Sequence, residues 1–446
     1  MTEQQYIDLF KEHRSKIDNG SVKGMNRHRD EAFEVFSKLG FPNSKLEDYR
    51  NTNIARFFDA DLGLNIKNIE IPVNPYDTFK CDVPNLNTHL YFMVNERFYQ
   101  KEDHNVPLNK GVFVGGMQQF AEEYPKIFKK HYAQIAELSD NGTVAYNTMF
   151  AQDGFVVYVP ENVVIEQPLQ VINILKGGVD MNINRRFLII AERNSQVKLL
   201  VCDHAVDDVN FVVTQVTEIY ADRDAQVDLY ELEENSLKTS KVNNLFSHQK
   251  ENSHVNVSGI TLHNGTTRNN YKFRLLGEYA EAHIGGLAIN DKEQHTDNYA
   301  FLDHAVPNCH SNELFKYALN DKSVGVFCGK ILVEKDAQKT LAYQDNKNLL
   351  ISEDARMYSK PQLEIYADDV KCSHGLTTGH IDEDALFYLQ CRGVSAEEAK
   401  MMLMVAFTKD VVEMIRIETL REHLEELIDK RFRGKLTRCG NCRVCK

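Results

Sequence analysis

The spacing of apolar side chains changes character twice along this chain. From residue 1 to about 145 it follows a helical period. Tyr6, Leu9 and Phe10 fall at i, i+3 and i+4, and Phe120, Tyr124, Ile127, Phe128, Ile135 and Leu138 make a longer stripe. Such stripes are packing faces. Between them, GFPNSKLEDYRNTNI at 40–54 reads as a polar turn region leading into a mixed segment. From about 146 to 380 the pattern alternates and becomes β-branched, so FVVYV, VINIL, RFLII, VKLLV and FVVTQVTEIY are expected strands.

Within the β-rich part a phrase repeats: NSQVKL at 194, DAQVDL at 224, NSHVNV at 252 and YAEAHI at 279. Looser echoes follow at 322, 336 and 354, as KSVGVF, DAQKTL and DARMYS. A repeat of roughly 28 residues built from strands and turns has few solutions. Propeller blades are longer and carry aromatic signatures absent here, and the leucine-rich phrase is also absent. A parallel β-helix fits, each coil stacking on the last and only the ends leaving open edges. A β-sandwich whose strand spacing mimics a repeat is the competing reading. From 381 onwards the helical period returns. Ser395 and Glu398 have capping-box spacing before Met401, Leu403, Met404 and Phe407, and a second stripe holds Ile417, Leu420, Leu424, Leu427 and Ile428. The expected result is a helical hairpin docked on the end of the solenoid. The domains are therefore expected at 1–145 (helical and mixed), 146–380 (β-helix) and 381–446 (helical, with a Cys-containing tail).

Composition narrows the function. The 446 residues are 42% hydrophobic and 26% charged, enough for a buried core, and the net charge is −13. So acidic a chain is poorly suited to neutralising phosphates, which argues against nucleic acid. The start, MTEQQYIDLFKEH, has no apolar signal core, and MMLMVAF at 401–407 falls far short of the roughly 20 residues of a membrane span. Nine cysteines without a small-domain disulfide pattern suit a reducing, cytoplasmic setting.

Nucleotide and hydrolase motifs are missing. There is no P-loop, since GVFCGKI at 325–331 has the wrong spacing, and there is no G-x-S-x-G, H-E-x-x-H or G-x-G-x-x-G. The densest candidate is LEIYADDVKCSHGLTTGHI at 363–381. On a strand, Cys372 and His374 share a face. Thiolate and imidazole together can ligate zinc, iron or a cluster, or act as nucleophile and base, but two ligands cannot close a tetrahedral site. The alternative is a buried Cys beside a surface His. The tail RCGNCRVCK places Cys439, Cys442 and Cys445 at C-x-x-C-x-x-C, a metal-compatible spacing with no evident fourth ligand. Cys81, Cys202, Cys309, Cys328 and Cys391 read as packed thiols. His254, His263, His283, His295, His304 and His310 cluster in the β-rich part, with no diagnostic spacing. A β-helix also suits carbohydrate cleavage, which needs a carboxylate pair in a groove; the acidic residues here sit mostly in turns.

The stretch 337–399, from AQKTLAYQDN through ADDVKCSHG to ALFYLQCRGVSAEEA, resembles the SufB/SufD family of iron–sulfur cluster assembly scaffolds, and ADDVKCSHG with ALFYLQCRG resembles its SufD branch. The likeness extends back through FLDHAVPNCHSNELFKYALNDKSVGVFCGKILV; over 1–145 it rests mainly on GFPNSKLEDYRNTNI. The resemblance implies a right-handed parallel β-helix flanked by N-terminal and C-terminal helical domains. It implies a non-catalytic scaffold that pairs with a SufB-like subunit, while a SufC-like ATPase binds the C-terminal helices and hydrolyses the ATP. It places Cys372 and His374 near the subunit interface, where a transient iron–sulfur cluster is assembled with ligands from the partner. It assigns no role to Cys439, Cys442 and Cys445, and no cofactor is certain in the isolated chain. An exposed β-helix edge also makes a homodimer of the isolated chain expected. The alternatives from other classes are a stand-alone carbohydrate-active β-helix enzyme and a zinc-binding structural protein using the Cys tail.

Overall fold

The structure, a computed structural model, describes residues 2–75, 87–99, 108, 111–139 and 141–435. Cys81, Cys439, Cys442 and Cys445 lie outside them. The alternating β-branched runs form strands that pass in turn between two sheets, so neighbours in sequence are not neighbours in a sheet. In the first sheet Met181–Ala191 pairs in parallel with Phe211–Ala221, which pairs with Thr239–Gln249. In the second, Gln196–Ala205 pairs with Gln226–Glu234, which pairs with His254–His263. The result is a parallel β-helix of about 8 turns.

The repeated phrase marks one corner of each coil. Asn194, Asp224, Asn252 and Tyr279 all have φ between 54° and 61°, and Asn308 and Lys339 continue the series. Each is followed by a small residue with no exposed surface: Ser195, Ala225, Ser253, Ala280, Cys309 and Thr340. The left-handed residue turns the chain, and the small one lets the next coil lie close. Asn and Asp tolerate this backbone best, and their side chains add rungs, as where Asn252 Nδ2 donates to Asp224 Oδ1 at 2.7 Å. Lys292 and Asp321 take the same conformation at the opposite corner, which is why KSVGVF falls out of phase with the main repeat.

Inside the coils, one long apolar core runs from Tyr91 and Phe155 to Ala342 and Ala367. Beside it runs a polar column. Arg185 donates to Asp203 at 2.7 Å, Gln215 to Glu231 at 3.0 Å, and Gln344 to Glu313 at 3.0 Å, all buried.

The N-terminal helices Thr2–Asn19, Arg29–Leu39 and Gly142–Phe150 bury an aromatic cluster of Tyr6, Phe10, Phe36, Phe41, Phe58 and Tyr146 that also reaches Val212 and Val242 on the outside of the first sheet. The stripe from Phe120 is split at Pro125 into Met117–Glu123 and Pro125–His131. Buried ions fix these layers together. Glu218 accepts backbone N–H from Ala133 and Gln134 and pairs with Arg186 at 3.1 Å, with neither side chain exposed. The 40–54 region contains a short 3₁₀ turn, Glu47–Tyr49, and is held down where Arg268 donates to Asp48 O at 2.8 Å. Strands His89–Val94 and Phe113–Gly116 join the two sheets at the first end, and antiparallel pairs close that end.

The C-terminal hairpin corrects an expectation. It does not dock on the end of the solenoid; it lies on the outer face of the second sheet. Val411, Val412, Ile415, Leu420, Leu424 and Ile428 pack against Leu200, Tyr230, Ile260, Leu287 and Ile289. That sheet carries apolar residues on both faces, so the hairpin covers the outer one. Arg431 then pins the last helix, donating to Leu262 O at 2.6 Å and pairing with Asp291 at 2.7 Å.

Candidate functional site at the open end

The last coil consists of Arg356–Ile365 and Lys371–Gly379, the outermost strands of the two sheets. Each pairs on one side only among the described residues, with Val324–Val333 and Leu341–Leu350 respectively. Both sheets thus end in unpaired edges at the same place. Such edges are guarded in proteins that stay apart. Here Arg356, Lys360 and Pro361 guard the first, while the second carries one charge, Lys371, over its length.

Cys372 lies opposite Ala342, and His374 opposite Gln344. Ala342 and Gln344 are buried in the interior of the preceding coil, so the register carries Cys372 and His374 on the inward-facing positions where the interior opens. Cys372 is half-buried against the apolar core, and burial raises its thiol pKa, partly offset by a hydrogen bond from the Ala342 backbone. His374 is exposed. The pair therefore shares a face, as the spacing requires, with the thiol sheltered and the imidazole open. Two coils deeper in the polar column, burial raises the Glu313 carboxyl to about 8.

A fringe of exposed apolar side chains surrounds this end: Tyr358, Tyr366, Leu376, Phe387 and Tyr388. Phe387 and Tyr388 belong to Glu383–Cys391, a helix capped by Asp382 that has no buried residue at all. In the next helix, Ala396–Glu413, Ser395 accepts from the Glu398 N–H, but the Glu398 side chain turns to Arg433 at 2.8 Å, so only half of the capping box forms. Met404 is buried there while Met402 stays exposed.

The remaining candidates disperse. Cys202, Cys309 and Cys328 are buried, with Cys309 and Cys328 raised to about 11 by burial. Cys391 is exposed, contrary to expectation, because its helix packs no face against the solenoid. His263 bonds Asn235 O, His295 faces Thr52, and His304 is sealed beside Ser311 with its pKa lowered to about 4 by burial. His254, His283 and His310 come together on the outside of the second sheet.

The β-helix thus has one end covered by antiparallel strands and one open end bearing a cysteine and a histidine, beside a helix with no buried residue. Residues 174–407 match the family described as SUF system FeS cluster assembly, SufBD core domain, and residues 1–171 match the SufBD protein N-terminal region. The chain belongs to the SufBD family. It is similar to the iron–sulfur cluster assembly protein SufD of Escherichia coli, 40% identical over 167 residues covering 37% of this chain and 40% of that protein. A SufBD family protein of Synechocystis is 28% identical over 67% of this chain and 65% of its own length. Protein ABCI7, chloroplastic, of Arabidopsis thaliana is 28% identical over 89% of this chain and 84% of its own. The alignments with the first two relatives thus span less than two thirds of those proteins. No described helix is long and apolar enough to cross a membrane.

Proposed function

We propose that this chain is a scaffold subunit of a cytoplasmic iron–sulfur cluster assembly complex, without catalytic activity of its own. It pairs with a SufB-like subunit through the open end of the β-helix, and its C-terminal helices, within 381–432, bind a SufC-like ATPase that hydrolyses the ATP. Cys372 and His374 contribute to a transient iron–sulfur cluster whose other ligands come from the partner, and the isolated chain is able to pair with itself. The observation that carries this reading is the open edge itself. Among the described residues, two strands with one free edge each, an inward Cys–His pair and an uncovered apolar fringe meet at one end, while the other end is closed by antiparallel strands. Adding a partner's coil would satisfy the edge hydrogen bonds and cover the apolar fringe in one step. Phe387, Tyr388 and Met402 offer the ATPase an apolar surface that costs this chain no core packing.

The test is co-purification with SufB-like and SufC-like chains. Leu376→Asp, at an exposed inward-facing position of the edge strand, should abolish capture of the SufB-like chain and leave the melting temperature of the isolated protein unchanged within a few degrees. Undiminished capture would remove the open end as the pairing surface.

A further inference from the structure

One set of side chains away from the open end is arranged as a ligand set. Strand Glu281–Asn290 lies between His254–His263 and His310–Leu319, with Glu281 opposite His254 on one side and His310 on the other. His283, two residues on, shares the outer face with Glu281. Glu281, His283 and His310 thereby present one carboxylate oxygen and two imidazole nitrogens that all lie within 4.8 Å of one another. Among the described residues this is the only group of three or more metal-ligating side chains so close together.

The details suit a cation better than a closed hydrogen-bond network. His254 Nδ1 lies 3.1 Å from Glu281 Oε2, and His283 Nε2 lies 3.6 Å from the same oxygen, a longer and weaker polar contact. The rings of His283 and His310 meet edge to face, 5.6 Å apart at 86°, which holds the two imidazoles side by side. Glu281 and His283 keep 38% and 21% of their side-chain surface, so an ion can enter and water can complete its shell. A surface His–Glu pair explains His254 and Glu281 alone. It does not explain two further imidazoles, from two different coils, with nitrogens within 4.8 Å of a Glu281 carboxylate oxygen.

We propose that Glu281, His283 and His310 bind one divalent first-row transition-metal ion. Two imidazoles and a carboxylate on one side of an ion, with open positions opposite, are a known donor set for such metals. His254 acts on Glu281 from the neighbouring coil, fixing the carboxylate as outer partners of metal ligands do. The site is distinct from Cys372 and His374: it lies on the outer face of the sheet rather than inside it, and two strand spacings, about 10 Å, separate His310 from the edge strand.

The test uses the full chain with Cys439, Cys442 and Cys445 changed to Ser, so that tail thiolates do not compete. Cobalt(II) is titrated by visible absorption, and zinc(II) is measured by competition against it. One equivalent should bind, with weak ligand-field bands and no intense thiolate charge-transfer band. His283→Ala and Glu281→Gln should each weaken binding at least 100-fold, His254→Ala about 10- to 100-fold, and His374→Ala should change nothing. Weak uptake of several equivalents, or affinity unchanged in both His283→Ala and Glu281→Gln, would overturn the proposal. A second measurement leaves these histidines unaltered. Zinc(II) should protect His283 and His310, but not His374, from carbethoxylation, and equal modification with and without zinc would equally contradict the site.

Discussion

His304 and Glu313 show how burial sets the chemistry of single side chains in this interior. Burial raises the Glu313 carboxyl from 4.5 to about 8, so at neutral pH the folded protein holds a proton there that the unfolded chain releases. Stability therefore falls as pH rises from about 4.5 to about 8. His304 works in the opposite sense: its pKa, lowered to about 4, makes stability rise between about 4 and 6.5. Comparing wild type with Glu313→Gln between pH 6.5 and 8 isolates the first effect. The wild type should lose about 2 kcal/mol more than the variant over that interval, as a denaturant titration at each pH would read. The thiols follow the same logic. Among the described cysteines, exposed Cys391 should be alkylated first by iodoacetamide at pH 7.5, Cys372 slowly, and Cys309 and Cys328 last, as peptide mass spectrometry would record. At this scale the sequence was legible where strand alternation alone decides, as for the shared face of Cys372 and His374. It was not legible where exposure decides: nothing in the spacing around Cys391 distinguishes a helix that packs from one left open.

The repeated phrase could be read at the scale of elements because the left-handed corner is a local backbone demand that selects Asn and Asp once per coil. Tyr279 breaks that preference, standing exposed at φ 61°. Tyr279→Asn should therefore stabilise the protein by about 0.5–1 kcal/mol, visible as a small rise in melting temperature. The hairpin at 396–432 was legible as two amphipathic helices but not in its position, since an apolar stripe says that a face is buried without saying against what. Its place on the outer face of the second sheet also changes how partner binding is tested. Removing 395–446 would uncover Leu200, Tyr230, Ile260 and Leu287, so truncation confounds folding with binding. Single substitutions separate them. Leu424→Ala, in the hairpin–sheet contact, should cost about 2–4 kcal/mol. Phe387→Ala, on the helix with no buried residue, should change stability by less than about 0.5 kcal/mol while weakening capture of the ATPase at least tenfold in a pull-down titration.

For the whole molecule, the asymmetry of the two ends organises the account. The N-terminal helices and antiparallel strands cover one end and one face, the hairpin covers the other face, and among the described residues the last coil is left with both edges open. The three-part plan was legible from the change of hydrophobic period. The grouping of His254, Glu281, His283 and His310 was not, because it depends on cross-coil register, which a single sequence does not display. The central claim, that cluster assembly takes place at the open end with His374 taking part, is tested most directly in the purified complex with SufB-like and SufC-like chains. Iron and acid-labile sulfide are counted for wild type and His374→Ala, with native mass and ATPase activity measured on the same samples. The account predicts an intact complex of unchanged mass and ATPase activity whose iron and sulfide fall several-fold in the variant. Wild-type iron and sulfide in an intact His374→Ala complex would contradict it.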